Sequence, residues 1–414
     1  MKTLSMGKIY GAEDMERQLA RYSAAAAEFE KLYSEKPAFF FSAPGRTEVG
    51  GNHTDHNLGC VLAGGVSLDI IAAVVPTVDG KITIKSEGFP VDTIEVEDTE
   101  VKENEKNTSA SLIRGMVGGF KKNGHKVGGF KAYSTSEVLQ GSGLSSSAAY
   151  EVLIGTILNG LYNNGEVSDV EVAKLAQYAE NVYFGKPSGL MDQMASSVGG
   201  LITIDFADKD EPVINKVDFD FASSGHKLCI IDTKGSHADL TPEYAAIPPE
   251  MKSVAEHFGK TVLREIDRDM VMENIAVLRK ECGDRAVLRA LHFFDENERV
   301  AGQSAALEKG DFARFLELIT ESGQSSLAYL QNIFAAVNVR EQGLTVALYL
   351  AKKLLDGEGA CRVHGGGFAG TIQAFVPESK LETFRAEMDR VFGEGSCHVL
   401  SIRNCGGTKV LFEA

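Results

Sequence analysis

Gly141-Ser142-Gly143-Leu144-Ser145-Ser146-Ser147-Ala148-Ala149 carries two glycines into three consecutive serines. Beyond them Val152, Leu153, Ile154, Ile157, Leu158 and Leu161 recur at three- and four-residue spacings, which predicts a buried helix starting near Ser146. Serine is a good N-cap, and Gly143 lets the backbone come close to whatever lies in front of it. A helix N-terminus offers unpaired N–H groups and partial positive charge, so the stretch reads as a phosphate-cradling loop whose hydroxyls add donors and a metal ligand. It is not a P-loop, because no lysine follows the glycines. It is not a hydrolase elbow either, because Ser147 stands where Gly-x-Ser-x-Gly requires its last glycine.

Two further Gly-rich segments lie far away in sequence, Gly45 to Gly59 and Gly365 to Gly370, and each of the three follows a predicted strand. The first is dense in chemistry: Arg46, Glu48, Asn52, His53, Asp55 and His56. A core cannot bury that mixture unpaired. Three such loops that can converge on one cleft point to a site more strongly than one alone.

The elements that must position these loops follow from periodicity. Asp14 to Tyr33 reads as an amphipathic helix, and Ala38 to Ser42 as a short strand entering the first loop. Val61 to Val75 is one or two strands, and Lys81 to Lys85 and Thr93 to Val96 alternate like exposed strands. Leu112 to Lys121 is helical, and the strand Phe130 to Thr135 feeds the serine loop. A helix over Val170 to Tyr183 stops at Gly185-Lys186-Pro187, and Leu201 to Phe206 and Lys227 to Asp232 are strands. The segment between those two strands, Ala207 to Gly225, is the expected boundary between domains spanning 1–215 and 216–414. From Pro248 to Leu355 the pattern is mostly helical. Strands at Cys361 to His364, Thr371 to Val376 and His398 to Ile402 and a helix at Lys380 to Phe392 close the chain, giving an α+β, two-domain reading.

Length and composition bound the rest. The chain has 414 residues, enough for two or three domains, and its 43% hydrophobic and 24% charged content is that of a globular protein. A formal net charge of −16 argues against nucleic acid or an anionic membrane as partner. Six scattered cysteines without a CxxC pair suggest reduced thiols in a cytosol. No apolar run of about 18 residues and no signal-like N-terminus occurs, so neither export nor a membrane span is expected.

A resemblance sharpens these expectations. Pro44-Gly45-Arg46-Thr47-Glu48-Val49-Gly50-Gly51-Asn52-His53-Thr54-Asp55-His56 resembles the galactokinase signature Pro-Gly-Arg-Val-Asn-Leu-Ile-Gly-Glu-His-Thr-Asp-Tyr. Gly141 to Ala149 resembles the ATP loop of the GHMP small-molecule kinases, and Gly189-Leu190-Met191-Asp192-Gln193 resembles the galactokinase Gly-Ile-Met-Asp-Gln segment. His237 to Tyr244, Arg289 to Arg299 and Gly365 to Gly370 match in family order. The resemblance implies a GHMP-kinase fold: an N-terminal ribosomal-protein-S5-domain-2-like domain, a C-terminal ferredoxin-like domain and an active site in the cleft between them. It implies an ATP- and Mg²⁺-dependent sugar 1-kinase, cytoplasmic, a monomer or weak homo-oligomer, with galactose as the first substrate.

Residue by residue, Asp192 falls on the catalytic base, and Arg46 on the group that holds it ionised and stabilises the transferring phosphoryl. Ser147 and Glu180 fall on Mg²⁺ ligands. Asn52, His53, Thr54, Asp55, Gly189 and Tyr244 fall on the sugar site. Ser86, Gly141, Ser142, Gly143, Leu144, Ser145, Ser146 and Ser147 fall on the nucleotide site. These roles suit phosphoryl transfer, which needs positioning, charge neutralisation and a base. The chain departs from the signature at Glu48, Asn52 and His56, where the family has Asn, Glu and Tyr. The family Glu accepts from the sugar's terminal hydroxymethyl, so Asn52 removes a charge there and opens the alternative of a galacturonate 1-kinase. A catalytically silent sugar sensor is the alternative of another class; the intact serine loop, Arg46 and Asp192 weigh against it.

Overall fold

The structure is a computed structural model. It describes residues 2–138, 143–235, 240–335 and 339–412, with the side chain of Thr241 left aside.

Two sheets organise the described residues. The larger is built on an antiparallel pair, Phe39–Gly50 with the 18-residue strand Cys60–Thr77. Residues 51–59 join them, so the sugar-signature stretch runs along the end of the first strand and into the connection the pair holds. Outward from this pair lie Thr408–Leu411 and Thr3–Ser5 on one side, and Gly129–Ser136, Lys81–Ser86 and Val91–Glu95 on the other. Leu201–Asp205 pairs with the far end of Cys60–Thr77 and with Val213–Val217.

The second sheet has four antiparallel strands in the order Ala360–His364, Thr371–Pro377, His226–Asp232, Cys397–Leu400. With the helices Gly343–Leu355 and Leu381–Phe392 these strands run β-α-β-β-α-β, the ferredoxin-like order. A helical block, Thr241 to Leu330, is inserted after the first of those strands.

Burial explains the layers. Helices Ser109–Lys122, Ser146–Tyr162 and Asp169–Tyr178 cover one face of the large sheet, and Met116, Phe120, Leu153 and Ile157 join Phe41, Leu62 and Phe130 in one core. Helix Met15–Tyr33 covers the other face through Tyr22, Ala25 and Phe29 against Phe40 and Ile71. Leu228, Ile230 and Phe375 of the second sheet belong to the same core as Leu62 and Val66, so the two sheets share apolar packing behind the cleft.

Three expectations change. The strand expected over Ala38 to Ser42 continues through Pro44 and Arg46 to Gly50, so Arg46 stands on a strand rather than in a loop. Pro44 has no N–H for the ladder, and the pairing register shifts between Pro44 and Arg46 and again between Glu48 and Gly50. Within the expected boundary segment, Ala207 to Gly225, Val213–Val217 forms a strand of the large sheet. The strand Thr408–Leu411, unforeseen from sequence, returns to pair with Phe40 to Ser42, so a division at 215/216 separates it in sequence from the sheet it completes.

Candidate active site

Three chain segments meet at the end of the long strand pair. Arg46 donates from Nε to Asp192 Oδ1 at 2.6 Å and from its terminal nitrogen to Asp192 Oδ2 at 2.8 Å, a two-pronged ion pair. Its remaining terminal nitrogen donates to the Gly143 carbonyl oxygen, and its backbone N–H to the Leu144 carbonyl at 3.0 Å. The serine loop is thereby fastened to the strand that carries Arg46. Ser145 completes the triangle, its hydroxyl donating to Asp192 Oδ2 at 2.7 Å. Burial pushes the Asp192 carboxyl up, but the Arg46 charge and the Arg46 and Ser145 hydrogen bonds outweigh it and hold the group below its ordinary range. Oδ1 has one donor where Oδ2 has two, so an open lone pair remains on Oδ1.

The helix Ser146–Tyr162 starts where the serine periodicity placed it. Ser145 is its N-cap residue, but its backbone is left-handed (φ 56°) and its side chain makes no capping bond. That conformation turns the hydroxyl to Asp192 and leaves the first-turn N–H groups to the cleft.

Ser147 and Glu180 come together as expected, the hydroxyl donating to Oε1 at 2.9 Å. Glu180 sits on a π-helical turn, Ala179–Phe184, that ends the helix Asp169–Tyr178. The wider turn rotates Glu180 off the regular helical repeat, and such turns concentrate at functional sites. Lys186 Nζ donates to the same Oε1 at 3.1 Å, and Gln193 donates to Oε2 at 2.7 Å and to Glu151 at 3.2 Å. Glu151 is fully buried, and burial followed by the Glu180 charge pushes its carboxyl well above the ordinary range. Among the described residues no group of three His, Cys, Asp or Glu side chains is placed to hold a metal.

Beside Asp192 lies a cavity of ≈ 160 Å³ lined by Arg46, Glu48, Asn52, His53, Asp55, His56, the 186–189 turn, Tyr244, Gly365 and Gly366. It is smaller than the roughly 300–1,000 Å³ of drug-sized sites, and its wall brings three carboxylates, Glu48, Asp55 and Asp192, together with Arg46 and Lys186. His53 has a left-handed backbone (φ 60°), and its Nε2 lies 3.0 Å from the Gly366 carbonyl. Burial lowers its pKa to about 3, so the ring is neutral; Nε2–H donates to that carbonyl and Nδ1 is left as an acceptor without a partner. Gly189 is required by contact: a Cβ there would stand 2.6 Å from Asp55 Oδ2. Gly366 serves Tyr244 in the same way, with a Cβ falling 2.5 Å from the ring.

Four of the assigned residues make contacts within the protein itself. Thr54 does not line the cavity; its hydroxyl donates to the Gly51 and Cys60 carbonyls at 2.9 and 2.7 Å and closes the turn. Leu144 turns its side chain into the core, and its carbonyl is taken by Arg46. Ser86 stands 2.9 Å from Ser134 at the strand that feeds the serine loop, outside the cavity. Asn52 lines the cavity, but its amide is spent. Nδ2 donates to Glu48 Oε1 at 3.1 Å and to the Gly365 carbonyl at 2.8 Å, while Oδ1 accepts from Asn332 at 2.8 Å and Ser326 at 3.3 Å. Gly141, Ser142 and His237 lie outside the described residues.

The sequence reading also left residues without a role. The helix Asp284–Glu308 carries His292, Glu296 and Asn297, and all three bind main chain of the signature stretch or of Cys60 just beyond it. His292 Nε2 lies 3.0 Å from the Asn52 carbonyl, Glu296 accepts from Gly51 N–H at 3.2 Å, and Asn297 from Cys60 N–H at 2.6 Å. Their i, i+4, i+5 spacing on one helix was the available signal, but it could not show that the ligand would be backbone. Glu151 could have been suspected as a lone carboxylate inside an apolar helix pattern.

Residues 27–76 match the family model described as the galactokinase galactose-binding signature, and residues 111–200 match the GHMP kinases N terminal domain. The galactokinase of Streptomyces coelicolor is 30% identical over 372 residues, covering 88% of this chain and 91% of the relative. That of Lactobacillus helveticus is 29% identical over 374 residues, covering 88% and 92%. In three dimensions the chain superposes on the galactose complex of Lactococcus lactis galactokinase with a TM-score of 0.79 at 24% identity, covering 94% and 99% of the two chains. A mevalonate kinase superposes with a TM-score of 0.60 at 15% identity, covering 89% and 100%. Fold and cleft are therefore those of a GHMP kinase, a class of small-molecule phosphotransferases. Within that class, the chain belongs to the galactokinase family.

Proposed function

We propose that the protein transfers the γ-phosphoryl group of ATP to the anomeric hydroxyl of galactose, giving galactose 1-phosphate and ADP. The observation that carries the reading is the Arg46–Asp192–Ser145 triangle, set between a small polar cavity and the N-terminus of the helix Ser146–Tyr162. The sugar occupies the cavity with its anomeric oxygen at Asp192 Oδ1. The triphosphate lies over the serine loop, where first-turn N–H groups and serine hydroxyls meet its charge. In the transfer the anomeric oxygen bonds to the γ-phosphorus and the bond to the β,γ-bridging oxygen breaks. The hydroxyl proton passes to Asp192. Arg46 stays charged and faces the transferring group. Asp192 is a weak base because Arg46 and Ser145 hold its pKa down. That suits a loose transition state, in which the hydroxyl becomes acidic only as the new bond forms.

Ser147 and Glu180 are the residues that would hold Mg²⁺. A hydroxyl and a carboxylate 2.9 Å apart are hard oxygen donors, and Mg²⁺ takes few protein ligands beside substrate phosphates. When bound, the cation neutralises phosphate charge. His53, Asp55, Gly189 and Tyr244 shape the sugar cavity, and Ser86 and Gly141 to Ser147 the nucleotide side. A cytoplasmic location and a monomeric or weakly associated state belong to the same reading. No described helix is long and apolar enough to cross a membrane.

The galacturonate alternative loses its ground. It rested on a missing charge at Asn52, and Glu48 returns a carboxylate 3.1 Å away, in the same cavity wall. The test is ADP release from ATP with a panel of neutral and acidic hexoses. Turnover highest on galactose supports the proposal. No turnover on any sugar favours the silent sensor.

A further inference from the structure

Glu48 stands in the cavity wall with Asp55 and Asp192. It is 6% exposed, and one carboxylate oxygen is heavily engaged: Oε1 accepts from Arg362 at 2.8 Å and from Asn52 at 3.1 Å. Arg362 is itself fully buried and also donates to the Val49 carbonyl at 2.7 Å, so the carboxylate is held from behind by a fixed cation. Asn52 cannot turn away, because Asn332, Ser326 and the Gly365 carbonyl hold the rest of its amide. The other oxygen, Oε2, has no partner among the described residues, yet it is not sealed in the protein. Both donors go to Oε1, and Glu48 lines the cavity.

We propose that Glu48 is a specificity-determining residue that accepts a hydrogen bond from a sugar hydroxyl through Oε2. The inference rests on the galactose 1-kinase reading and names a contact that reading does not contain. A buried carboxylate oxygen left open to a cavity needs a donor when the cavity fills and water leaves. Hydroxyls are the donors a hexose brings. Asp192 is committed to the anomeric end, so Glu48 reads a hydroxyl elsewhere on the ring or its exocyclic carbon. Asn52 then acts as a positioning residue that holds Oε1. The same carboxylate disfavours an acidic sugar, since a second negative charge would enter beside it with Arg362 already paired. Burial, only partly offset by Arg362, raises the Glu48 pKa, which is consistent with a carboxylate that gains from an added donor.

The experiment is a deoxygenation scan. kcat/KM is measured for galactose and its 2-, 3-, 4- and 6-deoxy derivatives with wild type, Glu48→Gln, and the exchanged double variant Glu48→Asn/Asn52→Glu. Wild type should lose about 10- to 100-fold on the one deoxy sugar that lacks the contacted hydroxyl, the range for a hydrogen bond to a charged group. In Glu48→Gln that penalty should shrink to within about threefold, and the loss on galactose should sit mainly in KM. The exchanged variant keeps both residue types and the net charge of the cavity wall, so it covers the case in which loss of the negative charge prevents Glu48→Gln from folding. It should restore a penalty of wild-type size on the same or a neighbouring position. If every deoxy penalty is unchanged in folded Glu48→Gln while wild type is active on galactose, Glu48 is structural and the inference fails alone. If wild type turns over no sugar, the inference and the kinase reading fall together.

Discussion

Replacing Asp192 by asparagine tests the site at its centre. The wild-type carboxylate takes three donors: Arg46 Nε at 2.6 Å, the Arg46 terminal nitrogen at 2.8 Å and the Ser145 hydroxyl at 2.7 Å. An amide can present only one oxygen, so whichever way it turns, an NH₂ group faces a donor. Arg46 is 8% exposed and loses its counter-charge. Removing one partner of a buried pair costs about 3–5 kcal/mol when nothing replaces it. Asparagine keeps one acceptor, so a loss nearer 1.5–3 kcal/mol is expected, the range for hydrogen bonds to charged groups. The variant should therefore fold with a lower melting temperature rather than at wild-type stability. Turnover should fall by about 10²–10⁴-fold, the contribution of a positioned base. The assay is ADP release at saturating ATP and galactose, with circular dichroism to confirm folding. A folded Asp192→Asn enzyme with kcat within about fivefold of wild type would falsify the role given to Asp192. Ser145→Ala is the companion. It removes a donor that lowers the Asp192 pKa, so that pKa rises and the acid limb of the kcat/KM profile moves to higher pH.

Other outcomes follow from the same geometry. Asn52→Glu sets a second carboxylate beside Glu48 and against the Gly365 carbonyl, so it should destabilise the protein by about 1–4 kcal/mol in urea unfolding and not improve activity on galactose. Gly189→Ala brings a methyl group to within 2.6 Å of Asp55 Oδ2. Its KM for the sugar should rise several-fold while the melting temperature changes little, and an unchanged KM would remove Asp55 from the sugar site. Buried His53, His292 and His364 all have lowered pKa values, burial being the first cause in each. The unfolded chain then binds protons near pH 6.5 that the folded chain refuses, so stability must fall as pH falls below that value. His53, at about 3, should alone cost about 1 kcal/mol between pH 7 and 5.5. Melting temperatures flat over that range would show that these rings ionise in the native state.

Much of the fold was legible in the sequence because the signals are local. Apolar spacing marked the helices Met15–Tyr33 and Ser146–Tyr162, and β-branched runs marked Val61 to Val75, left as one or two strands and found as the single strand Cys60–Thr77, and the strand His226–Asp232. The family resemblance of the signature, serine-loop and 189–193 segments set Arg46, Asp192 and Ser147 apart, with Glu180 from the helix before the last of them, and the structure places Arg46 with Asp192 and Ser147 with Glu180. The strand Thr408–Leu411 was not legible, since four residues carry little periodicity and their partner lies at Phe40 to Ser42, at the other end of the chain.

Asn52 and Glu48 show most clearly what only tertiary structure decides. Sequence records that the amide and the carboxylate stand at these two positions, and a comparison one position at a time reads a lost charge at Asn52. Folding places the two side chains 3.1 Å apart, brings Asn332 and Arg362 from distant elements, and so determines which polar atoms are consumed and which remain open. Residue type sets how many hydrogen bonds a side chain can make. Whether any is left for a ligand depends on neighbours hundreds of residues away, which enter only when the second sheet closes against the first.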